Sequence, residues 1–357
     1  MDTIYDIDDL YYKAIELLRQ MISIPSFSRE EDNVADMLGK YIEDMGFPVN
    51  RKGNNLWIKS PEFDPAKPTI LLNSHIDTVK PVSGWTKNPF CPEIEGDYLY
   101  GLGSNDAGAS VVSLLHSFML LSQKPQVYNL IFLASCEEEI SGKNGVESAL
   151  KDIPTPAFAI VGEPTEMNPA IAEKGLMVLD CTTYGQSGHA ARDEGENAIY
   201  KALLDIEWFR NHQFADVSEL LGTVKMTVTM INAGTQHNVV PDKCEFVVDV
   251  RSNELYSNEL LFELIDKHTL CEVKPRSFRL NSSKIPIEHP FVQRVLMIGK
   301  EAFGSPTLSD QALMNFPSVK IGPGKSARSH TADEFILLSE IREAIEYYTK
   351  LLDGLRI

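Results

Sequence analysis

The sequence predicts an α/β domain that is interrupted by a smaller α+β domain. Short apolar runs, typical of strands buried on both faces, alternate with helical patterns in the first half of the chain. The middle of the chain instead carries half-exposed strand patterns with longer polar connections. The length of 357 residues exceeds the roughly 250–300 at which a single hydrophobic core stops growing, so two domains are expected.

Two helices are predicted before the first strand. Apolar residues recur at helical spacing between Leu10 and Met21. Ser28 and Glu31 then form a capping-box signature, which predicts that a second helix begins there. Gly46 is expected to end that helix.

Three short apolar runs then predict buried strands. They span residues 68–74, 129–134 and 157–161. A helical pattern over residues 109–121 lies between the first two runs, directly after a Gly-rich turn. Buried strands that alternate with helices predict a sheet covered by helices on its faces.

The pattern changes near Lys174. Strand and helix patterns follow in the β-α-β-β-α-β order of a compact α+β unit with an antiparallel sheet. The strand patterns that can be located span residues 176–184, 223–230 and 246–250, and the helix patterns span 198–211 and 259–268. After about Ser283 the α/β pattern returns, with helices near 290–303 and 338–352. We therefore predict one domain from residues 1–174 and 284–357, interrupted by a second domain from 175–283.

The composition excludes several classes of protein. Hydrophobic residues make up 43% and charged residues 24%, as in an ordinary soluble globular protein without long disorder. The net charge of −18 disfavours binding to nucleic acid or anionic membranes and fits a partner that is a metal ion or a cationic small molecule. The opening residues lack the features of a secretory signal, no apolar run could span a membrane, and the five cysteines contain no C-x-x-C pair. We expect a cytoplasmic protein with reduced thiols.

Histidine and carboxylate side chains stand at the ends of the predicted strands, where α/β sheets build their sites. His75 and Asp77 follow the first buried strand and point the same way, so the carboxylate could orient the imidazole. The other candidates are Asp106, the run Glu137-Glu138-Glu139, Glu163 and His330. Each candidate has an ordinary alternative: a core hydrogen bond, a helix N-cap, a turn or a solvated loop. Their joint placement favours a shared site.

Imidazole and carboxylate donors without thiolate suit Zn²⁺, Co²⁺ or Mn²⁺. Two histidines and three carboxylates fit two ions with one carboxylate bridging. Ions about 3.5–4 Å apart can activate a water and polarise a carbonyl together. Because side chains of consecutive residues diverge, one glutamate can bind a metal while its neighbour acts as general base.

Five segments carry a pattern that is specific as a set. They are His75-Ile76-Asp77, Gly103-Ser104-Asn105-Asp106, Glu137-Glu138, Gly162-Glu163-Pro164, and Gly322-Pro323-Gly324 with Ser329-His330-Thr331-Ala332-Asp333-Glu334. In this order they resemble the M20 family of metallo-aminoacylases and peptidases, and the resemblance covers nearly the whole chain. It implies a zinc-peptidase-like catalytic domain with a central mixed sheet, and a smaller lid domain that also makes a homodimer.

The resemblance also implies roles for single residues in the catalytic domain. The ligands of two zinc ions, for which Co²⁺ or Mn²⁺ could substitute, would be His75, Asp106 as the bridge, Glu138, Glu163 and His330. Glu137 would be the general base and Asp77 would steady His75. A cis peptide bond is expected between Asp106 and Ala107.

Three residues of the insert match the family as well. By the resemblance, His189 would reach the active site of the partner subunit and stabilise an oxyanion there. Asn238 and Arg251 would hold the substrate carboxylate, a role for which the planar fork of arginine is suited. The open alternatives are turn positions for His189 and Asn238 and a strand-end ion pair for Arg251.

The closing segment and the modest length are most similar to the acetylornithine deacetylases of this family. We expect a di-zinc amidohydrolase that removes an acetyl or succinyl group from the α-nitrogen of ornithine or a related amino acid in arginine biosynthesis. The alternatives are a succinyl-diaminopimelate desuccinylase, a dipeptidase or aminoacylase, and a non-catalytic scaffold on the same fold. A cysteine hydrolase that uses Cys136 is disfavoured, because the adjacent Glu137 would raise the thiol pKa.

Overall fold

The computed structural model describes residues 5–192 and 194–357. The α-helices are α1 Ile7–Ile22, α2 Asp32–Asp44, α3 Ala109–Leu121, α4 Val146–Leu150, α5 Ala198–Asn211, α6 Asn258–His268, α7 Pro290–Met297 and α8 Leu338–Leu352. The strands are β1 Asn50–Lys52, β2 Asn55–Lys59, β3 Thr69–His75, β4 Glu93–Glu95, β5 Tyr98–Tyr100, β6 Asn129–Ser135, β7 Phe158–Val161, β8 Ala170–Glu173, β9 Met177–Tyr184, β10 Gly188–His189, β11 Lys225–Ala233, β12 Val239–Val240, β13 Lys243–Arg251, β14 Glu272–Pro275, β15 Ser283–Lys284, β16 Phe303–Ser305, β17 Ser318–Lys320 and β18 Phe335–Leu337.

The chain forms two compact units. The first comprises Met1–Ile171, Ile285–Phe303 and Ser309–Ile357. The second comprises Ala172–Lys284 and Gly304–Leu308. No helix in the described part of the chain is both long and apolar enough to cross a membrane.

A mixed sheet forms the centre of the first unit. Six of its strands follow the order β1-β2-β6-β3-β7-β17, in which β6, β3, β7 and β17 are parallel and β2 is antiparallel to β6. Successive side chains of a strand point to opposite faces. Ile70 and Leu72 accordingly pack in the core that contains α1, α3 and α8, whereas Leu71 packs in the core that contains α4. Both faces of the sheet are therefore covered by helices, which explains why its strands are apolar on both sides.

The capping-box prediction for α2 is wrong. The helix begins at Asp32, and its N-cap residue Glu31 makes no side-chain cap. The Ser28 hydroxyl instead donates to Asp77 Oδ2 at 2.7 Å, and Glu31 Oε1 accepts the N–H groups of Arg29 and Glu137. Ser28 thus bonds to Asp77 and Glu31 bonds to Glu137, and both partners are distant in sequence. The capping box between Ser28 and Glu31 is therefore not formed.

The second unit contains a four-stranded antiparallel sheet of order β11-β13-β9-β14. Side chains of β9 alternate between buried and more exposed positions, as expected for a sheet with one covered face. Leu179 and Phe246 of this sheet pack with Phe209 of α5 and Leu261 of α6. The observed architecture confirms the predicted fold class, an α/β sheet with helices and a smaller α+β insert.

Candidate metal centre

Three neighbouring parallel strands of the first unit end at one edge of the sheet. His75, the last residue of β3, pairs with Ser135, the last residue of β6. Asn73 of β3 pairs with Val161, the last residue of β7. Segments that follow these strands therefore start side by side, which brings residues distant in sequence together.

His75 lies at the centre of this edge and is buried. Its Nε2 atom is 3.3 Å from Asp106 Oδ1, 3.6 Å from Glu163 Oε1 and 4.0 Å from Glu138 Oε2. Its Nδ1 atom lies 2.9 Å from the main-chain oxygen of Asp77. With a proton on Nδ1 donated to that oxygen, Nε2 presents a lone pair to the carboxylates, as a metal ligand requires.

Asp106 stands between the two histidines that the sequence singles out. Its Oδ1 atom faces His75 Nε2, and its Oδ2 atom lies 3.6 Å from His330 Nε2. The peptide bond from Asp106 to Ala107 is cis, as expected. One carboxylate thus offers an oxygen to each imidazole, which is the arrangement of a bridging ligand.

His330 forms the open side of the cluster, since half of its side chain is exposed. Its Nε2 atom lies 3.1 and 3.2 Å from the two carboxylate oxygens of Glu139. The sequence places Glu139 in a run of candidate acids but assigns it no role. The run of three glutamates after β6 was the available signal, but it does not indicate which two of them face the site.

The structure turns Glu137 away from this cluster. Its carboxylate accepts hydrogen bonds from the side chain and main chain of Asn144, at 3.0 and 3.4 Å. Glu137 adopts a left-handed backbone conformation with φ of 56°, and its main-chain oxygen accepts the N–H of Gly142. Because the chain reverses at this residue, the next two glutamates face the histidines. Glu138 and Glu139, rather than Glu137 and Glu138, thus lie next to the histidines, and the catalytic and ligand roles of these residues stay predictions.

Asp77 connects the two parts of the cluster. Its carboxylate accepts the N–H groups of Glu138 at 3.0 Å and Glu139 at 3.2 Å. The imidazole of His75 is bonded to its main-chain oxygen, and the carboxylate Oδ1 lies 3.6 Å from His75 Nδ1. Asp77 thus orients His75 mainly through its main chain and uses its side chain to orient the glutamates.

The electrostatics of the cluster favour a bound cation. Burial and the neighbouring Asp106 raise the pKa of Glu163 to about 8, although His75 opposes the shift. Burial, together with Glu163 and other nearby acids, also raises the pKa of Glu138 well above its ordinary range. The hydrogen bond to Glu139 raises the pKa of His330 to about 9. Carboxylates outnumber imidazoles here, so divalent ions would stabilise the ionised forms of Glu138 and Glu163 against burial and mutual repulsion.

The donor atoms fit such ions. In the described part of the chain, two sets place their ligand atoms within 4.8 Å of one another: His75 with Glu138 and Glu163, and His75 with Asp106 and Glu139. All of these donors are nitrogen or oxygen, the preference of Zn²⁺, Co²⁺ and Mn²⁺ sites without thiolate. The observed donor set is therefore compatible with a transition-metal centre.

The three residues predicted in the insert lie in the second unit. His189 of β10 pairs with Val239 of β12, and the N–H of Ala190 donates to the main-chain oxygen of Asn238. His189 and Asn238 are exposed. Arg251 donates from Nε and Nη2 to both oxygens of Asp249, at 2.9 and 3.1 Å. The strand-end ion pair is thus present, and the substrate-binding roles of these residues stay predictions.

Fold and site together define a metal-dependent hydrolase that acts on amide bonds. The model of the peptidase family M20/M25/M40 matches residues 71–354, so the chain belongs to this family. The resemblance of its motifs to this family is confirmed.

Relatives of known name match almost the whole chain. It is 27% identical over 377 residues to acetylornithine deacetylase of Proteus mirabilis, which covers 95% of this chain and 96% of that protein. It is 29% identical over 359 residues to the LysW-lysine/LysW-ornithine hydrolase of Sulfurisphaera tokodaii, with 96% of each covered. A dinuclear metal-binding peptidase of the M20 family from Bacillus subtilis has the same fold, with a TM-score of 0.73, 17% identity, and 97% and 98% of the two chains covered.

Proposed function

We propose that this protein is a di-zinc deacylase that removes an acetyl or succinyl group from the α-nitrogen of ornithine or a closely related amino acid. The observation that carries the metal chemistry is the position of Asp106, with one oxygen facing His75 and the other facing His330. The substrate class is supported by the similarity to acetylornithine deacetylase. The net charge of −18 is compatible with a cationic substrate side chain. A cytoplasmic location and a place in arginine biosynthesis belong to this proposal.

We assign the proposed ligands to two ions from the distances between their donor atoms. One ion would be held by His75, Asp106 and Glu163, and the other by His330, Asp106 and Glu139. Bound zinc ions, or cobalt or manganese in their place, would polarise the scissile carbonyl and make water a stronger acid.

Glu138 is the carboxylate that this division leaves free, and we assign it as the general base. It lies 4.0 Å from His75, farther than Asp106 or Glu163, and its main chain is held by Asp77. Its carboxylate would take a proton from the attacking water and deliver it to the leaving nitrogen. Glu137 has no such role in this proposal, because its carboxylate is bonded to Asn144.

The insert would supply the remaining contacts to the substrate. His189 would donate to the developing oxyanion in the active site of the partner subunit, and Asn238 and Arg251 would bind the α-carboxylate. Arg251 already holds the carboxylate of Asp249 through two parallel hydrogen bonds. Asp249 occupies the Nε–Nη2 edge of this guanidinium, so a substrate carboxylate would bind at the Nη1–Nη2 edge.

A homodimer through the second unit also belongs to the proposal. Tyr200, Leu203 and Leu204 of α5 are 70%, 52% and 59% exposed, and Met230 and Ile231 of β11 are 64% and 56% exposed. β11 is an end strand of its sheet, and exposed apolar patches and sheet edges favour association.

Leu203→Glu should shift the sedimentation of the protein towards the monomer. The same change at Met297 of α7, which is 80% exposed, should not.

A substrate panel tests the assigned reaction. We expect the highest kcat/KM with acetyl-ornithine or succinyl-ornithine, and lower values with acetyl-citrulline and succinyl-diaminopimelate. A clear preference for succinyl-diaminopimelate or for dipeptides would replace the ornithine assignment and leave the metal chemistry intact.

If purified protein binds no transition metal, the scaffold alternative is favoured. A cysteine hydrolase remains disfavoured, because burial and nearby carboxylates raise the pKa of the Cys136 thiol.

A further inference from the structure

A buried carboxylate outside the ligand set holds the segment that carries Asp106. Glu334 is 2% exposed, and its Oε1 atom accepts the N–H groups of Asn105 and Asp106, both at 2.9 Å. Its Oε2 atom accepts the N–H of Gly103 at 3.0 Å. The main-chain oxygen of Glu334 also accepts the N–H of Gly101. One residue therefore bonds to four main-chain N–H groups within six consecutive residues.

The segment that carries His330 is in turn bonded by Asn105. The side chain of Asn105 donates to the main-chain oxygen of Lys325 at 3.1 Å and to Ser329 Oγ at 3.3 Å, and it accepts the N–H of Lys325 at 3.0 Å. A Cβ atom on Gly324 would lie 2.3 Å from Asn105 Oδ1, so glycine is needed there for this approach. Each segment thus supplies a side chain that bonds to the other: Glu334 bonds to residues 101–106, and Asn105 bonds to residues 325–329.

We infer that these contacts, which we call the Glu334–Asn105 latch, set the position of Asp106 between the two histidines. The argument rests on the proposed function, in which Asp106 bridges two ions. His330 and Glu334 are four residues apart on one segment, and Asp106 is on the other. Each hydrogen bond of the latch therefore fixes the spacing of the two segments, and with it the 3.6 Å separation of Asp106 Oδ2 and His330 Nε2. Glu334 is a positioning residue that touches neither ion nor substrate.

A carboxylate is required at position 334 for a chemical reason. Three N–H groups converge on its side chain, and the two oxygens of a carboxyl group offer enough lone pairs to accept all three. A glutamine would keep one acceptor and turn an NH₂ group towards an N–H donor. The segment would lose at least one hydrogen bond and shift, while side-chain size and burial stay the same.

Metal binding by Glu334→Gln tests this inference directly. We expect the dissociation constants for Zn²⁺ and Co²⁺, measured by titration of metal-free protein, to rise about 10- to 100-fold. Saturating metal should restore most of kcat with little change in KM, because the reacting groups are intact. Asp333→Asn is the matched control: Asp333 also accepts three hydrogen bonds, but from Thr86 and Lys87. Its metal affinity should stay near that of the unchanged protein.

Two results would overturn the inference: Glu334→Gln with unchanged metal affinity, or Asp333→Asn with an equal loss. The thermal midpoint of each metal-free variant shows whether it folds. If Glu334→Gln does not fold, Asn105→Ala carries the test, because it removes the hydrogen bonds of the Asn105 side chain to Lys325 and Ser329 and leaves the proposed ligands in place. Unchanged metal affinity in a folded Asn105→Ala variant would then refute the latch. Failure of the unchanged protein to bind two ions would refute the proposed function instead.

Discussion

Acidic side chains of the two units lie in opposite electrostatic environments. In the first unit, Glu163 lies beside Asp106 with only 13% of its side chain exposed, and its pKa rises to about 8. In the second unit, Asp180 accepts two hydrogen bonds from Arg276, at 2.8 and 2.9 Å, and this pairing lowers the pKa of Asp180. The second unit thus neutralises Asp180 with one of its own cations, whereas the strand-end cluster requires a cation from outside.

This difference separates residues whose stability depends on a bound cation from residues whose charge is already paired. Buried carboxylates that repel one another destabilise a fold unless a cation binds among them. An exposed pair such as Asp180 with Arg276 contributes little in either direction. The cluster is therefore the part of the molecule whose properties should depend most on metal ions and on pH.

Removal of metal should have the largest effect. Dialysis against a chelator should abolish hydrolysis of acetyl-ornithine, and addition of Zn²⁺ or Co²⁺ should restore it, since the ions supply the Lewis acid. The rate before and after metal replacement is the measurement. A rate that persists in metal-free protein would contradict a metal centre at His75 and His330.

Glu138→Gln should lower kcat by about 10²- to 10⁴-fold, the usual contribution of a general base. Bound metal, measured by elemental analysis, should stay unchanged because this carboxylate is outside the proposed ligand set. Glu137→Gln is the matched comparison and should retain most of the rate, since glutamine can still accept from Asn144. The opposite ranking of the two variants would restore Glu137 as the base.

The stability of metal-free protein should fall as pH rises from about 5 to about 8. The pKa of Glu163 rises from 4.5 to about 8 and that of His330 from 6.5 to about 9, so both groups bind protons more tightly in the folded state. Their stabilising contribution is complete at low pH and is lost as pH rises through the folded values. Thermal midpoints across this range measure the effect.

Protein loaded with zinc should show a much weaker pH dependence of this midpoint, because bound cations stabilise the ionised carboxylates. If the thermal midpoint of metal-free protein instead rises from about pH 5 to about pH 8, the carboxylates of the cluster do not repel one another as described above.

The smallest effect is expected in the second unit. Arg276→Ala should reduce the free energy of unfolding by only about 0.2–1 kcal/mol, because the Arg276 side chain is 55% exposed and water screens the pair. Urea unfolding at low and high salt is the measurement, and added salt should reduce the difference further. A loss of several kcal/mol would mean that this pair is as sensitive as the buried cluster.

Much of the fold follows from local sequence patterns. The helical pattern over residues 109–121 coincides with α3, and the apolar run at 129–134 lies within β6. Both succeed because burial on a sheet or between helices demands apolar side chains at a fixed spacing. The helix predicted near 290–303 fails in part: α7 ends at Met297, and Gly299 adopts a φ of 84°, which ends the helix.

The candidate site shows where local patterns stop being informative. His75, Asp106, Glu163 and His330 are recognisable because each follows a strand or a Gly-rich turn. Which of the three consecutive glutamates faces the histidines cannot be recognised in this way, because it depends on the left-handed conformation of Glu137. Glu31 and Gly142 bond to the main chain of that residue, and Asn144 bonds to its carboxylate.

By itself, the sequence determined the fold class, the family and the strand ends at which the histidines and acids stand, because burial and strand geometry act on neighbouring residues. Only the tertiary structure decided that Glu139 rather than Glu137 approaches a histidine, and that Glu334 holds the segment of Asp106. The physical reason is that side-chain direction at a turn is set by hydrogen bonds to groups far away in the chain, and these partners are not encoded in any local spacing.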